Sequence, residues 1–162
     1  MTAMDIPTDL ALVDLCAQIY RPDAMVSGFD YFDAGADDGV CWALKKLSGY
    51  DVVVFRGSLT LEDWLRDLDA LAMPTRIGHV HLGFFEGMEK AWSEARPMLN
   101  QQTIVVGHSL GAAHADVMAA LMTVDGASPA ARVVFGEPKP GLLDLAATIK
   151  NVPGRSYRNG DA

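Results

Sequence analysis

In Thr103-Ile104-Val105-Val106-Gly107-His108-Ser109-Leu110-Gly111-Ala112-Ala113 a short, wholly apolar strand pattern passes through Gly-x-Ser-x-Gly into an Ala-rich run that continues to residue 122. A strand that folds at once into a helix needs positions free of side-chain collision, and the glycines flanking Ser109 supply them. Such a turn lifts the Ser109 hydroxyl clear of the backbone, as attack on a carbonyl carbon requires. It also sets the backbone N–H of Leu110 at a helix N-terminus, where free donors and the dipole favour an oxyanion. Short Gly/Ser patterns arise by chance, but a strand before and a helix after make this one a nucleophile elbow.

Working outward, Ala131-Arg132-Val133-Val134-Phe135 reads as a strand, residues 142 to 150 as a helix, and Arg155-Ser156-Tyr157-Arg158 as a last strand. Before the elbow, one helix is expected over residues 84 to 96, ended by Pro97. Val40-Cys41-Trp42-Ala43-Leu44 and Asp51-Val52-Val53-Val54-Phe55 are apolar strands that Ser48-Gly49-Tyr50 joins as a hairpin, and the Gly-, Ala- and Asp-rich residues 28 to 39 read as a loop. Thr8 caps an amphipathic helix over residues 9 to 20 with Leu12, Leu15, Cys16 and Ile19 on one face. Apolar strands alternating with helices imply an α/β fold in three layers, its mostly parallel sheet covered on both faces. The 162 residues, half of them hydrophobic, fit a single domain spanning the whole chain.

Thirteen Lys and Arg against 21 Asp and Glu give a net charge of -8, which repels phosphate backbones and excludes nucleic acid as an expected partner. No apolar run reaches the ~18 residues that span a bilayer. The first basic residue is Arg21, so no charged segment leads into an apolar one, and a cytoplasmic protein without signal peptide or membrane span is expected. Cys16 and Cys41 read as small core residues rather than a disulfide. His and Cys show no Cys-x-x-Cys or His-Glu-x-x-His spacing, so neither a metal nor an organic cofactor is expected.

Four stretches together carry a resemblance: Val53-Val54-Phe55-Arg56-Gly57-Ser58 with Asp63-Trp64-Leu65 after it; Val80-His81-Leu82-Gly83-Phe84; residues 105 to 111; and Phe135-Gly136-Glu137-Pro138-Lys139-Pro140-Gly141. In order and spacing, from about residue 40 onward, the chain resembles the class 3 lipases, the fungal-lipase-like α/β hydrolases. The resemblance implies a carboxylic-ester hydrolase, a lipase or esterase acting on a small-molecule or lipid ester through a serine nucleophile, Ser109. It implies that Ser58 supplies the second oxyanion donor beside Leu110. Leu61, Trp64, Leu65 and Leu68 recur at helical spacing opposite Glu62, Asp63, Arg66 and Asp67, and the resemblance makes that helix the family's lid.

In this architecture the triad runs Ser, Asp, His. Asp161, in Asn159-Gly160-Asp161, matches the family's acid, with Glu137 in reserve as a residue of a structural turn. Only Ala162 follows Asp161, so the expected downstream histidine is missing, and the sheet is expected to be incomplete at its C-terminal side. His108 and His114 read as structural; His81, and less so His79, are the substitutes to consider for the base. The expectations are therefore a hydrolase shortened before its histidine, one complemented by a second chain, or a non-catalytic scaffold that binds an acyl ligand or partner. An open sheet edge favours self-association in each case.

Overall fold

The computed structural model describes residues 6–22, 28–36, 39–57, 72–138 and 140–158. The expected lid residues Leu61, Trp64, Leu65 and Leu68, together with Ser58 and Asp161, lie outside the described residues.

Helix α1 (Asp9–Gln18) begins where Thr8 accepts the N–H of Ala11 at 3.2 Å, and it buries Leu12, Leu15 and Cys16. Strands β2 (Trp42–Leu47) and β3 (Tyr50–Phe55) form the expected hairpin. Ser48 and Gly49 both take positive φ, 53° and 81°, the combination that a two-residue turn needs to match the strand twist. Strands β6 (Gln102–His108), β7 (Ala131–Phe135) and β8 (Gly154–Tyr157) then add in parallel beside β3. The six-stranded sheet has the order β1-β2-β3-β6-β7-β8, where β1 is Tyr31–Asp33 and pairs antiparallel with β2. The expected 28–39 loop thus contains a short edge strand, its aromatic pair Tyr31-Phe32 overriding the Gly and Asp around it.

Every side chain of β3 is buried, and its residues alternate between two cores. Val53 and Phe55 join Val105 and Val134 on one face; Val52 and Val54 join Ile104, Val106, Val133 and the apolar stripe of α1 on the other. Period-two alternation in a strand covered on both sides produces this division. The first face is covered by α4 (Leu110–Val124), buried continuously from Leu110 to Met122. Its alanines at 112, 113, 115, 119 and 120 are all fully buried, and they let the helix lie close on the sheet. Also on this face are α3 (Met88–Ala95) and α5 (Leu143–Ile149).

The single helix expected over 84 to 96 is divided. Helix α2 (Leu82–Phe85) ends at Glu86, Gly87 adopts φ 77°, and α3 starts anew from there, with a 3₁₀ turn (Arg96–Met98) at Pro97. A left-handed glycine breaks the hydrogen-bond ladder that apolar periodicity alone would have continued. Before α2, β4 (Ala72–Thr75) and β5 (Gly78–His81) form a separate two-stranded ribbon, fastened to the α5 side by a bridge between Val80 and Gly141.

Asp51, fully buried at the start of β3, fixes the lead-in to β6. It accepts the N–H groups of Asn100 (2.8 Å) and Gln101 (2.9 Å) and the Lys46 ammonium (2.9 Å). Burial pushes its carboxyl up, but Lys46 and the two amides outweigh that and hold it below the usual aspartate range.

Candidate active site

The parallel β6–β7 register pairs Gly107 with Val134 and His108 with Phe135, and this register builds the elbow. Ser109 donates its N–H to the Phe135 carbonyl at 2.9 Å, while its own carbonyl accepts the N–H of Ala112 at 3.0 Å. Between these anchors Ser109 stands at φ 60°, ψ -122°. Only Ser48 joins it as a non-glycine residue at positive φ among the described residues. Such a conformation costs on the order of 1–3 kcal/mol and persists where the surroundings over-determine it.

The flanking glycines are explained by contact distance. A Cβ on Gly107 would stand 2.0 Å from the carbonyl oxygen of Gly111, and one on Gly111 would stand 2.2 Å from the carbonyl oxygen of Phe55. Strand β3, strand β6 and the first turn of α4 therefore touch backbone to backbone. Ser109 is 6% exposed, and its Oγ has no hydrogen-bond partner among the described residues. A buried hydroxyl left unpaired is costly in a purely structural role. Leu110 opens α4, where the first N–H groups of a helix lack intrahelical acceptors.

The Phe-Arg-Gly end of β3 arrives at the same place. A Cβ on Gly57 would lie 2.3 Å from the Tyr20 hydroxyl, 2.6 Å from the His108 carbonyl oxygen and 3.3 Å from Ser109 Cβ. Tyr20, just past α1, receives the Gly57 N–H at 3.1 Å and is also 3.1 Å from His108 Nδ1. Nothing in the periodicity of α1 marked Tyr20.

None of the four histidines hydrogen-bonds Ser109 Oγ. His108 turns to Tyr20; His114 is buried in α4, its ring 6.1 Å from that of Phe55. His81 ends β5, its ring 6.2 Å from Phe84. His79 Nδ1 is 2.6 Å from Asp144 Oδ2, and Asp144 also accepts the His79 N–H, which holds its carboxyl below the usual range.

Glu137, the reserve acid, faces Arg132 and not Ser109. Its carboxylate is 3.5 Å from the Arg132 guanidinium and 3.2 Å from Ser156 Oγ, and the same guanidinium is 2.6 Å from Asp116 on α4. Burial pushes the Asp116 carboxyl up to about 7; Arg132 opposes that and the Glu137 charge reinforces it. An acid between Ala115 and Val117 in a run of small apolar residues was the signal for this cluster. The cluster forms one wall of a cleft of about 860 Å³ beside α5, which Ser109 does not line. Both cysteines are free and buried, and burial raises the Cys16 thiol to about 12, leaving it inert at neutral pH. Among the described residues no helix is long and apolar enough to cross a membrane, and no three His, Cys, Asp or Glu side chains are grouped to hold a metal ion.

The family model for lipase (class 3) matches residues 52–159. A lipase of Caenorhabditis elegans is 30% identical over 65% of this chain and 34% of its own length, so the chain spans about a third of that relative. Among solved structures, the triacylglyceride lipase of Rhizomucor miehei superposes with a TM-score of 0.67 at 18% identity, covering 94% of this chain and 72% of its own. Lipase II of Rhizopus niveus gives 0.74 at 15%, covering 91% and 68%. A triacylglycerol lipase whose catalytic centre is described as a serine protease triad gives 0.63 at 20%, covering 94% and 72%. These likenesses show an α/β-hydrolase fold, of which the present chain spans the larger part.

Proposed function

Because this chain belongs to the class 3 lipase family, we propose that it is the nucleophile-bearing part of a carboxylic-ester hydrolase acting on lipid or other acyl esters. The observation that carries the proposal is Ser109 itself: strained, buried, its Oγ without a partner among the described residues, at the mouth of α4. Ser109 Oγ attacks the ester carbonyl. The N–H of Leu110 and that of Ser58, which follows Gly57 at the elbow, hold the oxyanion, and each such donor is worth roughly 10²–10³ in rate. The alcohol leaves with a proton and the acyl group stays on Ser109; water then cleaves the acyl-enzyme, regenerating the hydroxyl. Asp161 orients a histidine supplied from outside these 162 residues, whether on a continuing or on a separate chain. Without a base, turnover falls by about 10⁶ in the serine proteases where this has been dissected.

A second reading, a scaffold that binds an acyl ligand or partner without turnover, is favoured by one observation: no described histidine meets Ser109. Hydrolysis of p-nitrophenyl esters from acetate to palmitate, beside a Ser109→Ala control, separates the two. Serine-dependent turnover by the chain alone would assign the base to His81, His79 or an associating copy. Turnover that appears only when sequence following Ala162 is restored fits the proposal as stated. Failure of a folded, extended chain to hydrolyse any ester or to react with a fluorophosphonate at Ser109 would leave the scaffold reading.

A further inference from the structure

We propose that Tyr20 is a positioning residue for the serine site, its hydroxyl accepting the Gly57 N–H and donating to Nδ1 of His108, so that one phenol fixes both chain segments that meet at Ser109. The proposal rests on the reading of Ser109 as nucleophile and Ser58 as oxyanion donor, because Tyr20 grips the residue immediately before each of them. Gly57 is buried and has no room for a side chain: the phenol oxygen and the His108 carbonyl oxygen fill the space a Cβ would need. The end of β3 is thus wedged between Tyr20 and the elbow.

The direction of the hydrogen bonds follows from donor counting. An amide N–H only donates, so the phenol oxygen accepts from Gly57 at 3.1 Å. Burial raises the Tyr20 phenol despite the opposing Gly57 bond, so the hydroxyl keeps its proton. The ring nitrogen 3.1 Å away on His108 is the acceptor in reach. A neutral His108 accepting at Nδ1 carries its proton on Nε2. There is space for that proton on the Gly136 side, where even a Cβ added to the glycine would come no nearer to Nε2 than 3.8 Å. The edge-on packing of the Tyr20 and His108 rings, centroids 5.9 Å apart, fits the same arrangement. A misplacement near 1 Å at a reacting centre can cost about 10² in rate, so a contact that touches no substrate can still matter for the chemistry.

Two measurements test this together. In the wild-type chain, ¹⁵N–¹H correlation of the His108 ring, recorded where the imidazole is neutral, should show the Nε2–H tautomer. In Tyr20→Phe that preference should be lost, and the Gly57 amide should exchange with solvent about tenfold faster, the equivalent of one hydrogen bond. In the chain extended past Ala162, the inactivation rate constant of Ser109 with a fluorophosphonate should fall roughly 10- to 100-fold in Tyr20→Phe while the half-saturating probe concentration stays the same. A wild-type Nδ1–H tautomer overturns the proposal, as does a Tyr20→Phe chain with unchanged Gly57 exchange and unchanged inactivation. If Ser109 does not react with the probe even in the folded chain extended past Ala162, the hydrolase reading of this chain fails on its own. The tautomer and the Gly57 exchange then still decide the role of Tyr20, and the tautomer needs no variant.

Discussion

Gly107→Ala and Gly111→Ala test the elbow by one methyl group each. Both would drive a carbon into a backbone carbonyl oxygen rather than into a side chain that could rotate away, so relief requires β3, β6 and α4 to part. Overpacking of this kind typically costs about 1–3 kcal/mol or more; each variant should lower the urea midpoint accordingly and lose whatever reactivity Ser109 has. Gly126→Ala is the internal control: its φ of 75° is strained for alanine, but no atom lies within 4 Å of the added carbon, so roughly 1 kcal/mol of backbone cost should appear alone. If Gly107→Ala melts like Gly126→Ala, the close approach at the elbow is not what sets the glycine there.

At the scale of elements, Asp51 joins the first residues of β3 to the turn before β6. Asp51→Ala removes the charged acceptor of two part-buried N–H groups, those of Asn100 and Gln101, and the partner of Lys46, at about 1–3 kcal/mol. The loss should shrink in acid. A carboxyl held below its unfolded value stabilises above that value and ceases to do so as pH falls through the folded one, so wild type and variant should converge in urea melts at low pH. The Asp116–Arg132–Glu137 group behaves in the opposite sense. Asp116 keeps its proton in the folded state up to about 7, so its contribution is fully present below the unfolded pKa of about 4 and is lost as pH rises through about 7. Glu137→Gln removes one of two acids sharing a single guanidinium. It should flatten that decline, seen as a smaller fall in Tm between about pH 4 and about pH 8 than in wild type. An equal fall in both would show that Glu137 has no part in holding the proton on Asp116.

The elements also show where sequence was sufficient. The apolar run Val52-Val53-Val54, the apolar run into Gly107 and the Thr8 cap each express a local rule, and each produced the expected element. The split at Gly87 and the edge strand at Tyr31 did not follow from local rules: one needed a backbone angle, the other a neighbour to pair with. The site divides the same way. The strand-turn-helix geometry at Ser109 and Leu110 is contiguous and was legible, whereas Tyr20, Gly57 and His108 meet across 88 residues of chain. Asp116 and Arg132 likewise meet through the packing of α4 on β7, which no window of sequence contains.

At the scale of the whole molecule, the last strand is tied to the first helix. Arg155 and Tyr157 of β8 both hydrogen-bond the Asp9 carboxylate, Arg155 through Nε at 2.7 Å. All four residues of β8 are exposed, so little apolar burial holds the strand, and this polar knot matters more than surface pairs usually do. Asp9→Asn should raise hydrogen exchange across β8 well before it changes the global melt. Equal protection in variant and wild type would assign β8's stability to its pairing with β7 alone.

The sheet is a partition between two apolar compartments, and that partition has a consequence for how damage accumulates. Leu15 belongs to one compartment and Met118 to the other, with no buried residue shared between the two clusters. Truncating both to alanine should cost the sum of the single losses, each about 2–5 kcal/mol, to within about 0.5 kcal/mol. Pairs within a compartment, such as Met118 with Val134, should instead depart from additivity, because the second cavity opens into a space the first has already loosened. The chain's tolerance of substitution is therefore set by two separate reserves, and exhausting one leaves the other intact.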